Sequence, residues 1–144
     1  MERFLFETSE FPKIVAENIN GSLRIKGWDR NTFRIDTDSP NSANVDQDGN
    51  TFNVNSKSGC LFRVPLESEI IVENVSGDLT IKSIENSLNL ENINGQVILK
   101  SVGSTTLEKV KGNFSSKHIE GDLKIESANG NVMIRDVEGK IILE

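Results

Sequence analysis

From Val75 to the C-terminus the chain writes one short unit eight times, and this repeat restricts its fold more than any other feature. Val75-Ser-Gly-Asp-Leu-Thr-Ile-Lys-Ser83 is followed by Ile84-Glu-Asn-Ser-Leu-Asn-Leu-Glu-Asn92 and by Ile93-Asn-Gly-Gln-Val-Ile-Leu-Lys-Ser101. Later copies begin at Val102, Val110, Ile119, Ala128 and Val137, and the steps between starts are 9, 9, 9, 8, 9, 9 and 9 residues. A fixed short period is the signature of stacked repeats, in which each unit buries its apolar side chains against its neighbours.

The unit itself predicts a strand. Position one is apolar in all eight copies, and positions five and seven are usually large aliphatics, as in Leu79/Ile81, Leu88/Leu90 and Val97/Leu99. Two apolar residues flanking one polar residue mark a short strand with one buried face. Position three is glycine at Gly77, Gly95, Gly112, Gly121, Gly130 and Gly139, with Asn86 and Ser104 as exceptions. Glycine there supplies either a positive φ or room where the backbone crowds at a corner. Nine is odd, so the chain must bend at positions eight and nine to return position one to the interior. The unit at Val102 is one residue short, with Thr105 and Leu107 at its inward sites, and the next unit places Phe114 beside Ser116. On this register Gly121→Val destabilises far more than Lys124→Ala. Apolar spacing is two throughout, so no helix is expected.

A second period sets the number of units per turn. Glu73, Glu91, Glu108 and Glu126 occupy position eight before the odd units, and Glu17 and Glu144 continue the series. Lys82, Lys100, Lys117 and Arg135 occupy it before the even units, with Lys26 equivalent in an N-terminal copy. The true repeat is therefore two units, about 18 residues long. The expected fold is all-β: a single-stranded β-solenoid (β-helix) with two-strand coils, an acidic column on one side and a basic column on the other. Four coils after residue 75, stacked at about 4.8 Å, make a rod of about 20 Å.

The chain reads as one domain, residues 1–144, with an N-terminal coil and capping block over 1–71 and regular repeats over 72–144. Ile19-Asn-Gly-Ser-Leu-Arg-Ile-Lys-Gly27 matches the later unit, and Thr32–Ile35 alternates like a strand. Phe4 and Phe6 mark a strand, with Pro12 at an edge or cap. Residues 36–69 interrupt the period, with a turn at Ser39-Pro40-Asn41, a hairpin around Asp48-Gly49 and a strand over Leu61–Leu66. Such a block covers the terminal coil, whose backbone groups would otherwise be unpaired.

Composition bounds function. A net charge of −6 argues against a general nucleic-acid binder. One cysteine, Cys60, and one histidine, His118, exclude a disulfide framework and a cysteine-rich metal site. No signal-like or membrane-spanning apolar run is present. As written, the chain is expected to be cytoplasmic without membrane insertion. The last repeat stops in mid-pattern at Ile141-Ile-Leu-Glu144, and a surface location follows if a continuation has been lost.

Asn20-Gly-Ser-Leu-Arg-Ile-Lys-Gly-Trp28, then Val64-Pro65 leading into a strand, then the run of Val-x-Gly-Asp-Leu-x-Ile units together resemble a bacterial family described as putative adhesins, a domain of unknown function built from β-strand repeats. The resemblance covers nearly the whole chain. It implies a β-solenoid related to envelope and surface-stress proteins, and it brings no catalytic signature.

Several residues are candidate sites. The basic column Lys82, Lys100, Lys117 and Arg135 suits a linear polyanion such as an acidic glycan or a teichoic-acid-like polymer. The acidic column offers hard oxygen ligands for calcium, but the glycine- and aspartate-rich calcium repeat is missing, so a solvated edge is expected. Asp46-Gln-Asp48-Gly49-Asn50 reads as a turn rather than a calcium loop. His118 lacks a positioned nucleophile and reads as an exposed corner residue. Cys60 reads as a bystander thiol, and Trp28 as packing against the cap rather than a sugar platform. No catalytic residue, cofactor or metal is expected. The leading expectation is a non-catalytic binding or structural module whose partner is a glycan or envelope polymer, or a second copy end to end. The alternatives are a polysaccharide-processing β-helix enzyme and an intracellular assembly scaffold.

Overall fold

The computed structural model describes residues 2–9, 11–39 and 41–143. Glu144 of the acidic series and Pro40 of the expected turn lie outside the described residues. Among the described residues the structure is all-β, with sixteen strands in two open eight-stranded sheets. No helix among the described residues is long and apolar enough to cross a membrane.

From residue 69 onward, successive strands alternate between the sheets. Strands β8 (Glu69–Val75), β10 (Leu88–Ile93), β12 (Thr105–Val110), β14 (Leu123–Ile125) and β16 (Ile141–Leu143) belong to one sheet, sheet B. Strands β9 (Leu79–Ile84), β11 (Val97–Val102), β13 (Phe114–Ile119) and β15 (Val132–Val137) belong to the other, sheet A. All pair in parallel with the strand two further on. Val97 faces Leu79, Phe114 faces Val97, and Val132 faces Phe114, which are offsets of 18, 17 and 18 along the chain. This is the period that the alternating charges imply.

The side-chain pattern explains the two sheets. In β11, Val97, Leu99 and Val102 are buried while Ile98 and Lys100 are exposed. Position one is thus inside although it lies three residues beyond position seven. Sheet A achieves this with a left-handed residue at position nine: Ser83 (φ 60), Ser101 (φ 55), His118 (φ 63) and Asp136 (φ 57). None is glycine. Each adds a local kink that turns the next side chain inward.

The corner glycines serve the second of the two expected purposes. None of those at position three has a φ in the left-handed region. They are needed for room: a Cβ on Gly95 would lie 2.7 Å from the Gly77 carbonyl oxygen, and one on Gly130 would lie 2.6 Å from that of Gly112. The close approach carries a hydrogen bond through each corner, Gly95 N–H donating to Gly77 O at 3.0 Å and Gly112 N–H to Gly95 O at 3.1 Å. One position changes. Thr105 pairs with Leu88, so the missing residue falls in the corner and Gly103, not Ser104, holds the glycine place. A Cβ there would collide with the Asn86 carbonyl oxygen.

The N-terminal half departs from simple order. Strands β2 (Lys13–Ile19) and β3 (Leu23–Trp28) pair with β8 and β9 in register, Ile19 facing Val75 and Leu23 facing Leu79. On their other side lie β6 (Thr51–Ser56) and β7 (Cys60–Pro65), also parallel, with Ile14 facing Phe52 and Leu23 facing Cys60. Residues 51–65 therefore add another layer rather than interrupt the stack. The antiparallel strands β1 (Glu2–Glu7) and β4 (Thr32–Thr37) extend sheet A, and β5 (Ala43–Asp48) ends sheet B. The β5–β6 turn is Gly49-Asn50, one residue later than expected, with Gly49 at φ 61. The anticipated boundary at 71/72 falls within β8, which pairs with both β2 and β10.

One core runs between the sheets, from Phe33, Phe52 and Phe62 to Leu123 and Ile125. Each aliphatic removed from water there contributes about 1.5–3 kcal/mol. Beyond it, Ile141 (48% exposed) and Leu143 (61%) leave the far edge uncovered.

Candidate functional site

The strongest chemical feature is a row of cations on the outer face of sheet A. Lys82 faces Lys100, Lys100 faces Lys117, and Lys117 faces Arg135. All four predicted residues are brought together, and all four are exposed. The row also continues toward the N-terminus. Lys26 faces Lys82 on one side and Arg63 on the other, and Arg63 faces Arg34. Seven cations thus cross seven neighbouring strands, spanning about 29 Å at about 4.8 Å per strand. Like charges at this spacing persist because water screens exposed side chains.

The row has little internal neutralisation. Among the described residues, no ion pair involves Lys26, Arg63, Lys82, Lys100, Lys117 or Arg135. Arg34 is the exception. Its Nε lies 3.1 Å from Asp36 Oδ2, without hydrogen-bond alignment, while Arg3 Nε donates to Asp36 Oδ1 at 2.7 Å. Burial works against the charge on Asp36, but the two guanidiniums outweigh it and hold the carboxyl below its ordinary range. Trp28 lies at this end. Its indole N–H donates to Thr32 O at 2.8 Å, and its ring has the Arg30 and Arg63 guanidiniums 5.1 and 6.0 Å from its centre. It is a half-buried packing residue that holds cations in place.

The acidic column lies on sheet B. Glu91 sits between Glu73 and Glu108, and its carboxyl is raised above the usual range by burial and by those two neighbours. Its negative charge is thus disfavoured in the fold, and the column is a cost at neutral pH. Among the described residues, no group of three or more His, Cys, Asp or Glu is placed to hold a metal. Cys60 is buried, and that burial pushes its thiol pKa up.

His118 is more than a corner residue. Its Nδ1 lies 2.9 Å from Asp136 Oδ2 on the next strand of sheet A, and its Nε2 lies 3.4 Å from Glu120 Oε1. The Asp136 hydrogen bond is the main reason its pKa is raised above 6.5, with Glu120 assisting and burial opposing. The folded state therefore favours imidazolium. The contribution is fully present below the unfolded pKa and is lost as pH rises through the raised folded value. Wild type is expected to lose more melting temperature than Asp136→Asn between about pH 5.5 and about pH 8. Parallel pH profiles would show that the tie stabilises nothing.

Two features are not apparent from the repeat pattern. Arg63 and Arg34 extend the row only because β7 and β4 continue sheet A. An asparagine row on sheet B, formed by Asn18, Asn74 and Asn92 at position nine and joined by Asn44 and Asn55, follows from the strand register. The recurrence of asparagine at Asn74 and Asn92, two units apart, is its visible signal.

No known protein family matches the chain. No curated protein matches it. Among solved structures, it is similar to a putative adhesin from Parabacteroides merdae, with 13% identity over 99% of this chain and 92% of that one. The TM-score of 0.30 is too low for a shared fold to be read from it.

Proposed function

We propose that this chain is a non-catalytic β-solenoid binding module that holds a linear polyanion along the outer face of sheet A. The observation that carries the reading is the continuous register of the cations from Arg34 to Arg135. Parallel pairing between strands two units apart, repeated in both sheets, supports the solenoid arrangement. Rigid strands hold the ammonium and guanidinium groups at regular intervals, so a polymer with regularly spaced anions engages several at once. Multiple weak contacts then act as one avid contact. A net charge of −6 and the acidic column of sheet B favour a thin polymer touching one face over a nucleic acid. Acidic glycans and teichoic-acid-like polymers have the required chemistry, which agrees with an envelope-related role.

The test is binding of polygalacturonate and of polyphosphate to the wild type and to the triple variant Lys82→Ala, Lys100→Ala, Lys117→Ala. Each of the three lost contacts removes roughly 0.5–1 kcal/mol, so affinity for at least one polymer falls about tenfold or more. Binding weakens as salt rises above about 0.1 M. The control Glu73→Ala, Glu108→Ala retains wild-type affinity or gains. Equal binding by the triple variant and the wild type would sink the proposal.

A further inference from the structure

We infer that a second site, on sheet B, binds an extended uncharged oligosaccharide along a row of five asparagines. The site is independent of the cation row and lies on the other sheet. Asn44 faces Asn55, Asn55 faces Asn18, and Asn92 faces Asn74. Ile19 faces Val75, which places the preceding residues Asn18 and Asn74 side by side. Five adjacent strands each contribute one carboxamide, over about 19 Å at about 4.8 Å per strand. These residues line an open groove of about 510 Å³, beneath which Ile19 and Val75 belong to the buried core.

The amides are oriented by one another. Asn18 Nδ2 donates to Asn55 Oδ1 at 3.1 Å, and Asn92 Nδ2 donates to Asn74 Oδ1 at 3.0 Å. Glu17 anchors the centre, accepting from Asn55 Nδ2 through its carboxylate at 3.0 Å and from Asn74 Nδ2 through its main-chain oxygen at 3.3 Å. A carboxamide has two N–H donors and an oxygen with two lone pairs. These bonds use one donor on each of four asparagines and leave the others free. Asn92 Oδ1 is itself buried, so the acceptors left open to the groove are the side-chain oxygens of Asn18 and Asn44. The groove therefore presents donors and acceptors side by side, with Lys57 as the charged side chain of its lining.

That pattern selects the ligand. A hydroxyl both donates and accepts, and neighbouring hydroxyls on a sugar ring can meet one amide through both its oxygen and its nitrogen. The charged groups of an anionic polymer only accept and, although Lys57 is part of the lining, would meet the nearby carboxylates of Glu17, Glu73 and Glu91. A peptide strand repeats at about 3.4 Å, and at about 6.8 Å on one face, out of step with rungs at about 4.8 Å. One pyranose ring in an extended chain is close to one rung in length.

The experiment is a titration of the isotope-labelled wild-type chain, followed through its asparagine side-chain amide signals. The probes are cellohexaose, mannohexaose and xylohexaose at millimolar concentration, with a basic and a neutral hexapeptide in parallel. The expected result is that at least one sugar shifts the Asn18, Asn74 and Asn92 signals, with the lysines of sheet A unaffected. Asn18→Ala, Asn74→Ala is expected to weaken that sugar about tenfold, through two lost hydrogen-bonding groups. Lys82→Ala, Lys100→Ala, Lys117→Ala leaves it unchanged, so failure here and failure of the polyanion reading are separable. The inference is overturned if none of the three sugars moves these signals. It is also overturned if a hexapeptide moves them and the sugars do not, which would assign the groove to a polypeptide.

Discussion

Phe33→Ala is expected to destabilise the protein by about 3–5 kcal/mol, near the upper end for a single core truncation. Phe33 is fully buried, and its ring is 5.4 Å from Phe52 and 5.3 Å from Phe62 in edge-on contacts, and 6.0 Å from Phe6. These four rings come from β4, β6, β7 and β1, so they join both sheets at the end where the pairing changes from parallel to antiparallel. Removing the central ring opens a cavity surrounded by three rings anchored on separate strands, which cannot all close on it. It also loses the geometric component of three aromatic pairs, each worth about 0.5–1.5 kcal/mol beyond area burial. The melting temperature should fall by about 10 °C or more. Phe11→Ala is the control, because Phe11 is 58% exposed, and its loss should be within about 0.5 kcal/mol. Urea and thermal unfolding of the two variants decide the matter. Similar small shifts would mean that the aromatic cluster does not hold this end of the molecule.

Gly112→Val should cost about 3 kcal/mol, by steric conflict rather than by loss of packing. A Cβ at this site would stand 2.6 Å from the Gly95 carbonyl oxygen, 2.7 Å from its carbon and 2.9 Å from Gln96 N. All three are backbone atoms, fixed by the hydrogen bonds that run through the corner, so relief requires two layers to move apart. Gly121 is a milder position than its place in the repeat implies. The atom nearest its Cβ is the hydroxyl of Ser104, which can rotate away, though Ser104 Cβ and N at 3.0 Å remain tight. The expected order of destabilisation is Gly112→Val, then Gly121→Val, then Lys124→Ala. Lys124 is 40% exposed and meets Glu126 at 3.7 Å, an exposed pair worth about 0.5 kcal/mol or less. Thermal melts giving the same shift for all three would refute the corner packing.

The repeat made much of this legible because it acts locally. Leu79 and Ile81, or Val97 and Leu99, identify the buried face of a strand without knowledge of the partner. The sign change from Glu91 to Lys100 reveals that successive strands belong to different sheets. The four predicted cations consequently fell into one row. Less legible was the way the chain returns position one to the interior. His118 and Asp136 hold left-handed backbone inside strands, where the apolar alternation marks no turn, although both residue types tolerate that conformation. The one-residue gap near Val102 was visible, but only pairing with Leu88 assigns the corner to Gly103.

By itself the sequence determined the all-β class, the two-unit period, the inward aliphatics and the alternation of charge. All follow from residue spacing along a chain whose strand side chains alternate in direction. Only the tertiary structure decided where residues 51–65 go. Phe52 and Phe62 would satisfy any exposed apolar edge, and the edge they cover is β2 and β3, ahead of strands that precede them in sequence. That placement brings Arg63 and Arg34 into the cation row and Asn55 and Asn44 into the asparagine row. Their numbers share no period, because strand pairing is a contact between distant segments and leaves no local spacing to read.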